Sequence, residues 1–176
     1  GFGTIIAVAS ARIGHCKSGM FNLFGGPMTI NIAEAACIGD FNRFISGFWT
    51  VPYGARYARC LEIEEQVLIT SSHYFDVCGL IRIGSGSAIA GTESQFWTHG
   101  AGVKNRYVII GKGCYVGSAT RFAPGALLGD RVSVALGSVV TKKFKGDHLL
   151  IGGVPAEVIL RNYDWQMSRG ETSSNW

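Results

Sequence analysis

Four histidines, His15, His73, His99 and His148, are the side chains of this 176-residue chain best suited to move a proton near neutral pH. His99 follows Trp97-Thr98 and comes just before a glycine-bearing stretch, residues 100–109. That context puts it at a corner where a loop closes over a substrate, the setting of a general base. His73, within Ser71-Ser72-His73-Tyr74-Phe75-Asp76, is the second candidate base, or a residue that orients an acceptor. Asp76 and Glu93 are the carboxylates best placed in sequence to partner a histidine. His15 and His148 read as ordinary surface or loop histidines. No two histidines are spaced like a zinc-binding pair, and no metal is expected. The five cysteines include no Cys-x-x-Cys pair, so they read as buried small hydrophobes of a reducing cytosol.

The elements that position these residues show themselves as a period of six. From Ile110 an apolar residue recurs at Val116, Phe122, Leu128, Val134 and Val140. The next residue is small each time: Gly111, Gly117, Ala123, Gly129, Ala135 and Thr141. A second register, Cys114, Thr120, Ala126, Val132 and Ser138, is also compact. An α-helix repeats at three and four residues and an ordinary strand at two, so neither accounts for this pattern. A coil of three short strands joined by abrupt corners does, with one inward side chain per strand and little room at each corner. Fainter copies run through Ile32, Ile38, Phe44, Ile63, Ile69, Ile83, Ile89 and Gln95. The phase slips place loops near 50–60, 76–82 and 100–109, and the last is the expected binding insertion. The expectation is one all-β domain spanning residues 1–176, a β-helix over about 30–145 and a turn and tail over 146–176. Residues 157–165 read as a short helical segment and 168–175 as a frayed polar end.

At Val134-Ala-Leu-Gly-Ser-Val-Val-Thr-Lys142, at Val154-Pro155-Ala156, and at Thr98-His99 with its following loop, the chain resembles the hexapeptide-repeat acyltransferases, especially bacterial sugar and surface-polysaccharide O-acetyltransferases. The resemblance implies a left-handed parallel β-helix that transfers acetyl from acetyl-CoA to a saccharide hydroxyl, with a histidine as base. It implies a homotrimer with active sites between subunits. It also implies that Gly117 and Ala135 border the pantetheine arm of acetyl-CoA, and that Ser138, Thr141, Lys142 and Lys143 lie near its nucleotide end. Gly100 and Gly117 are candidate oxyanion donors, and Phe96, Trp97 and Tyr107 a candidate aromatic wall. Two other functions use the same fold: a γ-carbonic-anhydrase-like metal enzyme, and a non-catalytic scaffold subunit.

The net charge of +4, with no basic run beyond Lys142-Lys143, gives no footprint for nucleic acid but suits an anionic cofactor. The apolar stretch over residues 5–11 is too short to span a bilayer. A cytoplasmic location is the expectation, from the compartment of the donor.

Overall fold

The computed structural model describes residues 2–168. The chain winds as a parallel β-helix with three walls. The second wall is an eight-stranded sheet running from Lys17–Ser18 through Cys37–Ile38, Leu68–Ile69, Ala88–Ile89, Tyr115–Val116 and Ser133–Val134 to Leu149–Gly153 and Ala156–Arg161. The first and third walls form one 12-stranded sheet, because the long strand Leu23–Ile32 begins in the third wall and ends in the first. Above it, Cys60–Ile63, Leu80–Ile83, Tyr107–Ile110, Ala126–Leu128 and Lys143–Phe144 continue the first wall. Arg43–Ile45, Tyr74–Asp76, Gln95–Phe96, Arg121–Phe122 and Val139–Val140 continue the third.

The six-residue period is the core. Ile110, Val116, Phe122, Leu128, Val134 and Val140 are all buried, as are Cys114, Thr120, Ala126, Val132 and Ser138 in the second register. The small residue after each aliphatic is there because the next coil passes close by. A Cβ on Gly117 would meet the backbone of Leu136 at 2.9 Å. Inside the third wall Phe24, Phe44, Phe75, Phe96 and Phe122 stack face to face with ring centroids 4.4 to 4.9 Å apart. That is the spacing of hydrogen-bonded strands, so the rings simply inherit the ladder.

The structure corrects four expectations. The inward residue in the third wall is Phe96 and not Gln95, because the corner before it holds an extra residue; Gly91 (φ 70°) and Glu93 (φ 65°) both take positive φ there. The helix expected over 157–165 is mostly a strand: Ala156–Arg161 lies antiparallel to Leu149–Gly153, and the helical turn among the described residues here begins at Trp165 and runs to Ser168. The reason is the open edge of the last coil, whose unpaired N–H and C=O groups are satisfied by a strand and not by a helix. The coil also reaches further toward the N-terminus than the repeat suggests, with Ile5–Ile13 paired to Leu23–Ile32. Cys16, Cys37 and Cys60 are half-buried, and only Cys78 and Cys114 are buried; all five are free thiols. Near 76–82 the chain makes a short turn, 77–79, between strands, and near 50–60 it makes 3₁₀ turns over Phe48–Arg56. The tail expected to fray lies almost wholly outside the described residues.

Candidate active site

Three successive corners between the third and first walls lie one above another: 46–59, 77–79 and 97–106. The middle one follows Asp76 at the end of its strand. Asp76 is 2% exposed, and its carboxylate is held by donors from the corner above. Oδ2 accepts from the backbone N–H of Thr98 (2.8 Å) and of His99 (3.1 Å), and from His99 Nδ1 at 2.6 Å. The Thr98 hydroxyl donates to the Asp76 carbonyl oxygen (2.7 Å) and accepts from the Gly79 N–H (2.7 Å). A Cβ on Gly79 would collide with the Arg106 carbonyl, so glycine is what lets the end of the upper loop close down on the lower turn.

Oδ2 of Asp76 already accepts two backbone N–H groups, so it faces the ring as an acceptor: Nδ1 of His99 carries the hydrogen, and Nε2 is the nitrogen left for a substrate. The imidazole is 33% exposed. It therefore offers a reachable base whose orientation is set by a buried anion.

The lowest corner contributes a cluster of rings. Trp49, from Phe48–Arg56, presents its ring edge-on to His99 with centroids 5.2 Å apart. Trp49 meets Tyr57 at 5.1 Å and Tyr53 at 6.4 Å, and the Arg106 guanidinium lies 4.5 Å above the Tyr57 ring. The insertion is pinned by Arg59 Nη1, which donates to Thr50 O and Gly54 O (3.2 Å each), and by the Thr50 hydroxyl on Gly47 O (2.7 Å). The sequence places a loop here, near 50–60, but marks only the one after His99 as the binding insertion. The signal for the lower loop was the density of Phe48, Trp49, Tyr53 and Tyr57 within a single phase slip. Of the expected aromatic wall, Trp97 lies 6.5 Å from His99 and tilts against Tyr74, while Phe96 belongs to the core. Tyr107 carries Lys143 over its ring at 5.6 Å.

His73 sits elsewhere. It is 1% exposed at a corner between the second and third walls; Nδ1 accepts from the Ser94 N–H (3.1 Å) and Nε2 meets the Thr70 hydroxyl (3.0 Å). Burial pushes its pKa down from 6.5 to about 4. Glu93 is exposed, and the structure gives it no histidine partner among the described residues.

Gly117 and Ala135 line a groove of about 590 Å³ on the second wall, with Leu68, Ala90, Tyr115, Leu136 and Trp165 among its other lining residues. Ser138 lies beneath it and is internally bonded: its hydroxyl donates to Ala135 O (2.6 Å) and accepts from Gly153 N (3.2 Å). Thr141 is exposed, and Lys142 pairs with Glu157 at 2.6 Å, so the two lysines diverge to different partners. His99 does not line the groove, which opens at another edge of the prism.

Among the described residues, one group of three donors could hold a metal: Asp76, Cys78 and His99, with ligand atoms within 4.8 Å of one another. Its chemistry fits poorly. Burial pushes the Cys78 thiol up to about 12, and the Asp76 oxygen facing His99 is already occupied by the donors that shape the corner.

Fold and site together define a parallel β-helix protein with an acid–histidine pair at one corner. No family model matches the sequence. Among solved structures, the polysialic acid O-acetyltransferase OatWY aligns with a TM-score of 0.61 at 16% identity, over 92% of this chain and 90% of that one. The polySia-specific acetyltransferase NeuO aligns with a TM-score of 0.55 at 15% identity, over 93% and 88%. At such identities the likeness establishes a shared fold.

Proposed function

We propose that this protein is an acetyl-CoA-dependent O-acetyltransferase acting on a saccharide hydroxyl. The observation that carries the reading is the His99–Asp76 pair: a reachable imidazole of fixed tautomer, on a fold that OatWY and NeuO also have. Nε2 of His99 takes the proton of the acceptor hydroxyl as its oxygen bonds to the thioester carbon. The C–S bond then breaks, and the imidazolium returns that proton to the departing thiolate. Asp76 holds the ring in place and stabilises the charge that appears on it in between.

The groove on the second wall is the proposed seat of the pantetheine arm, with Gly117 and Ala135 at its floor and Ser138 supporting them from beneath. Thr141, Lys142 and Lys143 at the coil end are the proposed neighbours of the nucleotide. Because groove and histidine occupy different edges of one prism, the complete site needs a groove from a second copy laid against His99. A homotrimer, with one site at each junction, satisfies this. His73 supports the corner from inside and is not the base in this reading. The proposed location is the cytoplasm, the compartment of the donor. Among the described residues no helix is long and apolar enough to cross a membrane.

The deciding measurement is thiol release from acetyl-CoA against a panel of saccharides, with His99→Ala beside the wild type. Release that depends on both the saccharide and His99 supports the proposal. Release that is unchanged in the variant removes His99 as the base. A stable monomer by sedimentation at micromolar concentration would remove the shared site.

A further inference from the structure

The two insertions that flank His99, 46–59 and 97–106, carry Arg56, Arg59, Lys104 and Arg106 and not one acidic residue, in a chain with 12 Asp and Glu. Arg59 is engaged in holding the lower insertion through Thr50 O and Gly54 O. Arg106 is different. Its guanidinium is stacked on the buried ring of Tyr57, its Nε is buried, and among the described residues that Nε has no hydrogen-bond partner and no ion pair involves the side chain. Its backbone is fixed as well, since Arg106 O accepts from the Leu80 N–H at 2.9 Å and presses on Gly79.

A half-buried guanidinium without a counter-ion loses hydration without recovering it, and its planar fork matches a carboxylate. Beside it, Trp49 and Tyr53 are half-exposed rings, and Trp49 touches His99. Rings of this kind accept the apolar face of a pyranose while their edges remain wet.

We propose that Arg106, on its Tyr57 support, is the specificity-determining residue of an acceptor subsite for acidic saccharides: it binds the sugar's carboxylate while Trp49 and Tyr53 stack the ring, with a hydroxyl turned to His99. The proposal deepens the acetyl-transfer reading and rests on it for the role of His99. The same guanidinium chemistry would also serve a phosphate of the donor, and the experiment separates the two.

The test is equilibrium titration in the absence of donor, with N-acetylneuraminic acid against its methyl ester and galacturonic acid against galactose. Wild-type protein binds each acid roughly 10- to 100-fold more tightly than its neutral counterpart. Arg106→Ala abolishes the difference, and Arg106→Lys, which keeps the charge but not the fork, restores part of it. Affinity for acetyl-CoA, titrated separately, stays the same in both variants. Equal binding of acid and neutral sugars by the wild type overturns the proposal. So does a loss in Arg106→Ala that falls on acetyl-CoA, or a change in its sedimentation, which would assign the guanidinium to a phosphate or to a subunit contact. If acid sugars bind as described but no thiol is released with any acceptor, the acetyl-transfer reading fails and the anion subsite stands.

Discussion

His73 and His99 are placed at opposite edges of the third wall, and the same side chain has been put to opposite uses. At His73 the ring accepts a backbone N–H at Nδ1 and is sealed in; at His99 the ring donates from Nδ1 to a buried carboxylate and leaves its other nitrogen reachable. What differs is the neighbour supplied by the coil one rung away. Ser94 gives His73 a donor, and Asp76 gives His99 an acceptor. A histidine's task in this fold is therefore set less by its own corner than by the rung beside it, which sequence proximity does not reveal.

The largest effect that would sharpen this contrast is at His99 itself. His99→Ala should lower kcat by roughly 10²- to 10⁴-fold, with the circular dichroism spectrum and melting transition essentially kept, because the variant removes only the proposed proton transfer. A variant with near wild-type turnover would erase the distinction drawn between the two corners. Next comes Asp76→Asn, with a loss of roughly 10- to 10³-fold in kcat, since an amide no longer dictates which nitrogen of His99 carries the hydrogen. It should also lower stability by about 1 to 3 kcal/mol in urea unfolding, because the carboxylate accepts several buried donors. A stability loss without the kinetic one would make Asp76 merely structural.

The fold was legible because its physical cause is local. An inward residue every six positions, with a small one next to it, shows in the sequence wherever the coil runs without interruption, as from Ile110 to Val140. Phe96 escaped the pattern because one extra residue at the Gly91–Glu93 corner moves the inward position by one. Residues 157–165 were misread because their neighbour, the open edge at Leu149–Gly153, exists only after folding. The site was half legible. His99 was marked by its loop, but Asp76 looked closer to His73, three residues away, than to its actual partner 23 residues on. Trp49, Tyr57 and Arg106 meet from loops about 50 residues apart, a proximity that comes from stacking corners and leaves no periodic trace.

His73 gives a test of comparable size in another quantity. With its pKa lowered from 6.5 to about 4, the folded protein refuses a proton that the unfolded chain takes up between those values. Stability from this group is therefore complete above about pH 6.5 and is lost as the pH falls toward 4, by about 3 kcal/mol in all. Urea unfolding of wild type and His73→Gln at pH 7, 5.5 and 4 isolates this contribution, since the variant should show a shallower fall. Parallel curves would mean that the ring takes up its proton within the fold and that the two corners differ less than the geometry indicates.

The smallest effect concerns the groove, where the comparison extends from two corners to two ligands. Ala90 lines the groove on the second wall, whereas neither Asp76 nor His99 does. Filling the groove with Ala90→Trp should raise KM for acetyl-CoA roughly 10-fold, about 1.4 kcal/mol, while kcat at saturating donor changes little. The split between the two constants carries the information. A pantetheine arm in the groove must be displaced or bent by the new ring, whereas the hydrogen bond from Asp76 that orients His99 is made within one protomer and is kept. Should kcat fall with KM unaffected, the ring would be disturbing the neighbouring copy's histidine and not the donor, and the groove would have to be read as a subunit contact.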